Sequence, residues 1–208
     1  MYLFGASGHA KVIADILEQM GEKVEGIIDD NKQLKEFMGM PVTHHIEEVS
    51  PMIICIGMND ARKKTAKRLL KIYDVQFGKA IHPAAIISEH TEINDGSVVM
   101  PRAVVQTGTK IGKHCIINSG AVLEHECNIG DFCHISPHAT LCGNVTVGEG
   151  SWVGAGATII QGVKIGRWSI IGAGSVVTKD IPDGVVAYGT PCHKVRRINE
   201  NLLDDSQL

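Results

Sequence analysis

The chain has 208 residues, a formal net charge of −3 and six cysteines. This charge gives no electrostatic bias toward nucleic acid or an anionic membrane, and no apolar run approaches the roughly 20 residues that span a bilayer. The N-terminal stretch "MYLFGASGHAKV" lacks the basic region of a signal peptide. We therefore expect a cytoplasmic protein without nucleic-acid or membrane partners, whose cysteines are free thiols.

The N-terminal part of the chain alternates between strand and helix patterns. A strand in "MYLF" leads through a glycine turn into a helix with an apolar face. Two further strands, "KVEGIIDD" and "PMIICIG", precede a second helix from about Asn59 to Lys71. This alternation predicts a small parallel sheet of the Rossmann type, which we assign to residues 1–79.

The glycine turn is a candidate nucleotide site. Gly5 and Gly8 precede a helix N-terminus that suits a phosphate, and Asp29 and Asp30 lie where a ribose contact is expected. The full G-x-G-x-x-G motif is absent, and a domain of this length makes about half of a dinucleotide fold. A mononucleotide moiety is therefore favoured over NAD, and the alternative is a turn that only packs the helix.

Two groups of polar residues are predicted to be solvent-exposed. The basic residues of the second helix are expected to form a solvated face: Arg62, Lys63, Lys64, Lys67, Arg68 and Lys71. Six histidines are expected on the surface or in turns: His44, His45, His82, His90, His114 and His193.

From residue 81 onward the sequence repeats with a period of six. Seventeen consecutive blocks begin with Ile, Leu or Val, from Ile81 to Val177, and the fifth position of most blocks is small. This pattern predicts a parallel β-helix in which three successive blocks form one triangular coil. We assign residues 80–183 to the β-helix and residues 184–208 to a C-terminal tail.

The stretch "AVLEHECNIGDFCHISPHATLCGNV", residues 121–145, has the composition of a metal site. The repeat instead places Cys115, Cys127 and Cys133 at the small inward position, where a thiol acts as an apolar group. His134 lies half a coil from His125, so the two could meet only between chains. We therefore expect no metal, and zinc bound between subunits is the alternative.

His125 and Glu126 fall on an outward corner of the predicted coil. Gly143 lies three blocks later, directly above His125, and leaves a bare backbone N–H beside the imidazole. An imidazole next to an exposed amide can act as a general base with an oxyanion donor.

The motifs "GASGH", "IIDD", "IGMNDARKK" and "LEHECNIGDFCHIS" resemble the sugar O-/N-acyltransferase family. The chain is most similar to N-acetyltransferases that act on UDP-4-amino-4,6-dideoxy sugars, and sialic acid O-acetyltransferases are related. The resemblance implies an α/β Rossmann-like domain followed by a left-handed parallel β-helix. It also implies acetyl-CoA as co-substrate and a homotrimer with active sites between subunits.

The resemblance also implies residue roles. His125 matches the catalytic base, Glu126 the acid that orients it, and the Gly143 amide the donor to the thioester carbonyl. The substrate-binding matches are Gly8, His9, Asp29, Asp30, Gly57, Asn59 and Asn118. The cofactor-binding matches are His134, Gly143, Ala155 and Ala173. The basic tail residues Lys194, Arg196 and Arg197 either meet the coenzyme phosphates or form a solvated surface.

Three functions follow from these observations. The first is N-acetylation of a nucleotide-linked amino sugar for bacterial surface glycans. The second is O-acetylation of sialic acid or another sugar hydroxyl, and the third is a non-catalytic nucleotide-sugar-binding module. UDP, GDP and CMP all remain open as the carrier.

Overall fold

The computed structural model describes residues 1–45 and 51–198. The N-terminal elements are β1 (Tyr2–Phe4), α1 (Gly8–Gln19), β2 (Gly26–Ile28), β3 (Glu36–Phe37), β4 (Met40–Thr43), β5 (Met52–Ile54) and α2 (Asn59–Ile72). They form a five-stranded sheet of order β3-β4-β2-β1-β5, in which only β3 and β4 pair antiparallel. Leu3, Ile27 and Ile53 at its centre are fully buried, as expected for parallel strands covered on both faces.

A parallel β-helix follows, with one two-residue strand in each of the seventeen predicted blocks. In chain order the strands are β6 (Ala80–Ile81), β7 (Ile86–Ile87), β8 (Glu92–Ile93), β9 (Val98–Val99), β10 (Val104–Val105), β11 (Lys110–Ile111), β12 (Ile116–Ile117), β13 (Val122–Leu123), β14 (Asn128–Ile129), β15 (His134–Ile135), β16 (Thr140–Leu141), β17 (Thr146–Val147), β18 (Trp152–Val153), β19 (Thr158–Ile159), β20 (Lys164–Ile165), β21 (Ile170–Ile171) and β22 (Val176–Val177). Every third strand pairs in parallel, one coil apart in register, as Val122 and Thr140 illustrate.

The interior of the β-helix is an aliphatic column. The second residue of most strands is fully buried and packs against the small fifth-position residues of the blocks. Cys115, Cys127 and Cys133 belong to this column and are at most 1% exposed. The prediction that these three cysteines are core residues is therefore confirmed.

The first residue of each strand points outward, and the three sheets differ in what they present. The domain face carries Ala80, Val98, Ile116, His134, Trp152 and Ile170. The polar face carries Glu92, Lys110, Asn128, Thr146 and Lys164. The aliphatic face carries Ile86, Val104, Val122, Thr140, Thr158 and Val176.

The α/β domain packs on the domain face. Val98 and Ile116 of that face share a buried cluster with Ile13 and Leu17 of α1. Burying each such side chain contributes roughly 1.5–3 kcal/mol to the free energy of folding. The shared cluster therefore stabilises the packing of the two domains against each other.

Helix α2 contributes two basic residues to this interface. The solvated-face prediction is wrong for Arg62 and Lys63, which are 1% and 4% exposed. Lys63 pairs with Glu149 of the β-helix at 2.7 Å and lies over the Trp168 ring. The periodicity of α2 shows where its apolar residues fall, but it does not show that a second domain covers a basic stripe.

His114, predicted to lie on the surface or in a turn, lies in a turn, but its side chain is buried. The residue lies at a corner with φ 54°, and its ring packs between Phe77 and Phe132. Burial, followed by the charges of Arg62 and Lys113 and opposed by Asp95, lowers the pKa of His114 to about 4.

We expect this histidine to make the fold sensitive to acid. Between pH 6.5 and about 4 the unfolded chain binds a proton at His114 that the folded chain excludes, so stability falls as pH falls through this window. The loss at His114 alone is up to about 3 kcal/mol. Urea unfolding at pH 7 and pH 4.5 measures it. The control is His114→Asn, which cannot take up a proton and tolerates positive φ; an unchanged pH slope in this variant would contradict the prediction.

The C-terminal region ends in an antiparallel hairpin, β23 (Val185–Gly189) and β24 (Cys192–Arg197). Strand β23 continues the sheet of the domain face beside β21. The rest of the predicted tail, residues 199–208, lies outside the described residues. Within the described part of the chain, no helix is long and apolar enough to cross a membrane.

Candidate active site

His125 and Glu126 occupy the corner between β13 and β14, at the edge where the aliphatic and polar faces meet. The Nδ1 atom of His125 lies 3.5 Å from a Glu126 carboxylate oxygen, and both side chains are more than half exposed. Glu126 has φ 59°, so the tight corner directs its carboxylate back toward the imidazole. This arrangement leaves Nε2 as the nitrogen that can accept a proton from a ligand.

Gly143 lies one coil further on, against the other side of the imidazole. A Cβ atom at this position would lie 2.5 Å from Cε1 of His125, so a side chain would force the ring away. The Gly143 carbonyl accepts a hydrogen bond from Gly162, whereas its N–H has no partner among the described residues. A free backbone donor next to a proton acceptor is the arrangement that acyl transfer requires.

A second group of predicted residues surrounds a cavity of about 460 Å³ in the α/β domain. Its walls are the turn after β1, Asp29 and Asp30 after β2, the loop 55–58 after β5, and Trp152 of the β-helix. The cavity thus opens at the carboxyl ends of parallel strands, where α/β sheets bind ligands. Gly8 begins α1 at this end, and a Cβ atom there would meet nothing within 4 Å.

The two acidic residues of the cavity have different environments. Asp29 accepts hydrogen bonds from the backbone N–H groups of Ala6 and Asn31, one on each carboxylate oxygen. Asp30 is exposed and pairs with Arg68 at 2.6 Å. Asp29 therefore holds the glycine turn in place, and Asp30 is the carboxylate that a ligand can reach.

We expect Asp29→Asn to destabilise the fold and Asp30→Asn to leave its stability nearly unchanged. An amide at position 29 would oppose one backbone N–H with its own donor, at a cost of about 1–3 kcal/mol. Loss of the exposed pair with Arg68 costs at most about 1 kcal/mol. Urea denaturation of both variants measures the difference, and equal midpoints would contradict it.

Asn118 and His134 form a hydrogen-bonded pair on the cavity side of the β-helix. The Asn118 side-chain oxygen accepts the Ser119 N–H, so its amide nitrogen faces Nε2 of His134 at 3.0 Å. Because an amide nitrogen only donates, Nε2 must be unprotonated and the proton sits on Nδ1. Burial, followed by Arg62 and His9, lowers the pKa of His134 to about 3. The ring is thus neutral and stacks on Trp152.

His9 is the second buried imidazole beside the cavity. Burial, followed by the charge of Arg62, lowers its pKa to about 4. Its Nε2 and the Nδ1 of His134 are buried without hydrogen-bond partners, and unpaired buried groups are costly unless a ligand or water satisfies them.

Gly57 lines the cavity and Asn59 begins α2 directly after the 55–58 loop, but both residues are already engaged in hydrogen bonds. The Asn59 amide donates to Gly150 and Ser151 of the β-helix and accepts from Arg62. The Gly57 carbonyl also accepts from Arg62. These hydrogen bonds hold the 55–58 loop against the β-helix.

Ala155 and Ala173 lie on the edge where the domain and aliphatic faces meet. Both are exposed, and the Ala155 carbonyl accepts the N–H of Gly174 from the next coil. Asn118 lies on the same edge, two coils earlier. Small side chains in one column leave an open groove along the β-helix.

The predicted residues thus form two separate groups within one chain. His125, Glu126 and Gly143 lie on the edge opposite the domain face. The nucleotide cavity, Asn118, His134, Ala155 and Ala173 lie on the other side. The structure does not bring His125 to His134, because their coil positions place them on different sides of the column.

Sequence reasoning missed two residues near the cavity. Trp152 lines it, and its outward position in block VGEGSW was a usable signal. The buried Arg62 had no such signal. Across residues 1–45 and 51–198, no three His, Cys, Asp or Glu side chains are grouped closely enough to hold a metal ion.

Two family models match the chain. The model described as "PglD N-terminal domain" matches residues 1–69. The model described as "Bacterial transferase hexapeptide (six repeats)" matches residues 90–125, 108–143 and 144–179. A curated relative, the uncharacterized protein L142 of Acanthamoeba polyphaga mimivirus, is 32% identical over 93 residues. That match covers 42% of this chain and 18% of the relative, well under two thirds of its length.

Solved structures match over nearly the whole chain. A variant of perosamine N-acetyltransferase from Caulobacter crescentus, in complex with CoA and GDP-perosamine, is 34% identical with a TM-score of 0.89, covering 94% of this chain and 96% of that one. The acetyltransferase domain of PglB from Neisseria gonorrhoeae, in complex with acetyl coenzyme A, is 33% identical with a TM-score of 0.85, covering 93% and 98%. WeeI from Acinetobacter baumannii is 28% identical with a TM-score of 0.86 and the same coverage.

Proposed function

Because the chain belongs to the left-handed β-helix sugar acyltransferases with a PglD-type N-terminal domain, we propose that it transfers acetyl from acetyl-CoA to the amino group of a nucleotide-linked sugar. The acceptor class is a UDP-4-amino-4,6-dideoxy sugar used for bacterial surface glycans. The observation that carries this proposal is the His125 imidazole set between the Glu126 carboxylate and the free Gly143 N–H.

The geometry supports a direct transfer. Neutral His125 accepts a proton from the sugar amine at Nε2 while the amine nitrogen attacks the thioester carbonyl. The Glu126 carboxylate faces Nδ1–H as a hydrogen-bond acceptor and stabilises the imidazolium that forms. The Gly143 N–H donates to the oxyanion of the tetrahedral intermediate. When the intermediate collapses, the C–S bond breaks, and the proton from His125 leaves on the coenzyme thiol.

The aliphatic face supports assembly of three subunits. All six outward residues of this face are Ile, Val or Thr, yet the single chain leaves them partly open to solvent. Ile86 is 68% exposed and the other five are half-buried. Packing three such faces around an axis would place the His125 edge of one subunit beside the Ala155 edge of the next.

Light scattering should then give about 67 kDa, three times the chain mass of 22.4 kDa; a mass equal to that of one chain would contradict the trimer.

The two edges would then form one site. The α/β domain holds the nucleotide-sugar through Gly8, His9, Asp30 and the 55–58 loop. Asn118 and His134 extend this surface toward the sugar and the acetyl group. The groove over Ala155 and Ala173 holds the pantetheine arm.

The decisive experiment offers the purified protein acetyl-CoA and a panel of UDP-, GDP- and CMP-linked sugars with free amino or hydroxyl groups. Mass spectrometry should show one added acetyl group on an amino sugar. Acetylation of hydroxyl acceptors alone would establish the O-acetyltransferase alternative. Failure of acetyl-CoA to bind in a titration would favour the non-catalytic module.

We place the reaction in the cytoplasm because all six cysteines are free thiols.

A further inference from the structure

Arg62 is a fully buried cation without a carboxylate partner. The residue is 1% exposed, and no ion pair involves it among the described residues. Burying an unpaired charge costs several kcal/mol even after the protein relaxes. A charge kept at such a cost is expected to have a role beyond packing.

The guanidinium of Arg62 joins the two domains. Its Nε donates to the His114 carbonyl at 2.8 Å, and one terminal nitrogen donates to the Phe132 carbonyl at 3.0 Å. The other terminal nitrogen donates to the carbonyls of Ile56 and Gly57, both at 2.9 Å. The first pair belongs to successive coils of the β-helix and the second to the wall of the nucleotide cavity.

These hydrogen bonds use the donors of Arg62, so the side chain cannot contact a ligand directly. The one remaining N–H donates to the Asn59 side-chain oxygen at 2.8 Å, and the same nitrogen lies 3.4 Å from the Cys133 carbonyl. Its influence on the cavity must therefore act through the loop that it fixes and through its charge.

The charge acts on the two histidines beside the cavity. After burial, Arg62 is the next cause that lowers the pKa of His9, and the same order holds for the pKa of His134, with His9 third. Arg62 itself faces Cys115, Cys133 and Asp60.

We propose that Arg62 is a positioning residue of the nucleotide-sugar site: its guanidinium fixes the 55–58 loop against two coils of the β-helix, and its buried positive charge acts on the polar groups beside the cavity, His9 and His134 included. The same charge favours an anionic diphosphate in the adjacent cavity. This inference rests on the proposed function for the identity of the ligand.

Two substitutions separate the charge from the packing. Arg62→Gln removes the charge and several hydrogen bonds, whereas Arg62→Lys keeps the charge with fewer donors. Asn59→Asp leaves the guanidinium in place and sets a carboxylate against it where the amide oxygen now lies at 2.8 Å. It therefore tests the charge without removing the guanidinium, although it also replaces the amide donor to the Gly150 and Ser151 carbonyls with an acceptor.

NMR titration of the imidazoles in the full-length protein is the first measurement. In Arg62→Gln and in Asn59→Asp we expect the pKa of His9 and of His134 to rise by about one pH unit, which is the effect of one unit charge at about 12 Å for an effective dielectric constant of ~20. Arg62→Lys should keep both values low. Unchanged values in both charge-neutralising variants would overturn the proposal.

Ligand affinity is the second measurement. The charge should make UDP bind more tightly than uridine. Arg62→Gln should reduce the ratio of the uridine Kd to the UDP Kd about tenfold, and Arg62→Lys should retain most of that ratio. In acetyl transfer, KM for the nucleotide-sugar should rise while KM for acetyl-CoA stays the same. A purely structural residue would lower stability without shifting the imidazole titrations. Because the titrations need no turnover, they can succeed even if no amino sugar is acetylated.

Discussion

Replacing His125 with alanine is expected to lower kcat/KM for acetyl transfer by roughly 10²–10⁴. The amine must lose a proton as it attacks, and His125 is the imidazole that lies against Gly143. The side chain is more than half exposed, and within residues 1–45 and 51–198 its charged contact is with Glu126, so its removal should leave the fold intact. Steady-state kinetics with the acceptor found in the panel measure the effect.

His90→Ala provides a matched control for this variant. His90 is an exposed histidine on the same edge of the β-helix, two coils before Glu126. Its removal should leave kcat/KM within about threefold of the unchanged protein, as expected for a surface residue outside the site. Near-normal turnover by His125→Ala would remove the assignment of His125 as the base.

The fold was predictable because the repeat is dictated locally. Each block specifies its own strand and corner, and stacking propagates the pattern, so the register of Cys127 or Gly143 follows from counting by six. The predicted α/β domain and left-handed β-helix are confirmed by the structure and by its close structural relatives. The domain boundaries remain a prediction.

The site was predictable where it depends on stacking within one column. The approach of His125 to Gly143 follows from a separation of three blocks, and the structure leaves no room for a Cβ atom between them. The different roles of Asp29 and Asp30 did not follow, because they depend on which backbone amides the turn after β1 directs at the end of β2.

Contacts between the two domains were not predictable from the repeat. Arg62 and His114 are distant in sequence, and they meet because α2 packs against the corner between the polar and domain faces. A pattern that reports the local period of a helix or coil carries no information about which face a distant domain covers. The wrong prediction of a solvated Arg62 and the unforeseen burial of His114 therefore arise at the same interface.

Mixing two inactive variants is expected to restore activity if the site is shared between subunits. His125→Ala removes the base on one edge, and Ala155→Trp blocks the groove on the other. Ala155 is exposed, so tryptophan there should not disturb the core. Each variant alone should be inactive. In randomly mixed trimers, about one quarter of the sites would combine an intact His125 edge with an intact Ala155 edge.

Co-expression with two different affinity tags and tandem purification isolates the mixed assemblies for assay. The control pairs two differently tagged copies of His125→Ala, which can form no intact site and should stay inactive. A site built within one chain would need both residues from the same subunit, and mixing would then restore nothing. Recovered activity therefore requires the His125 edge of one subunit to act on ligands held by its neighbour, because the column separates the two edges within every chain.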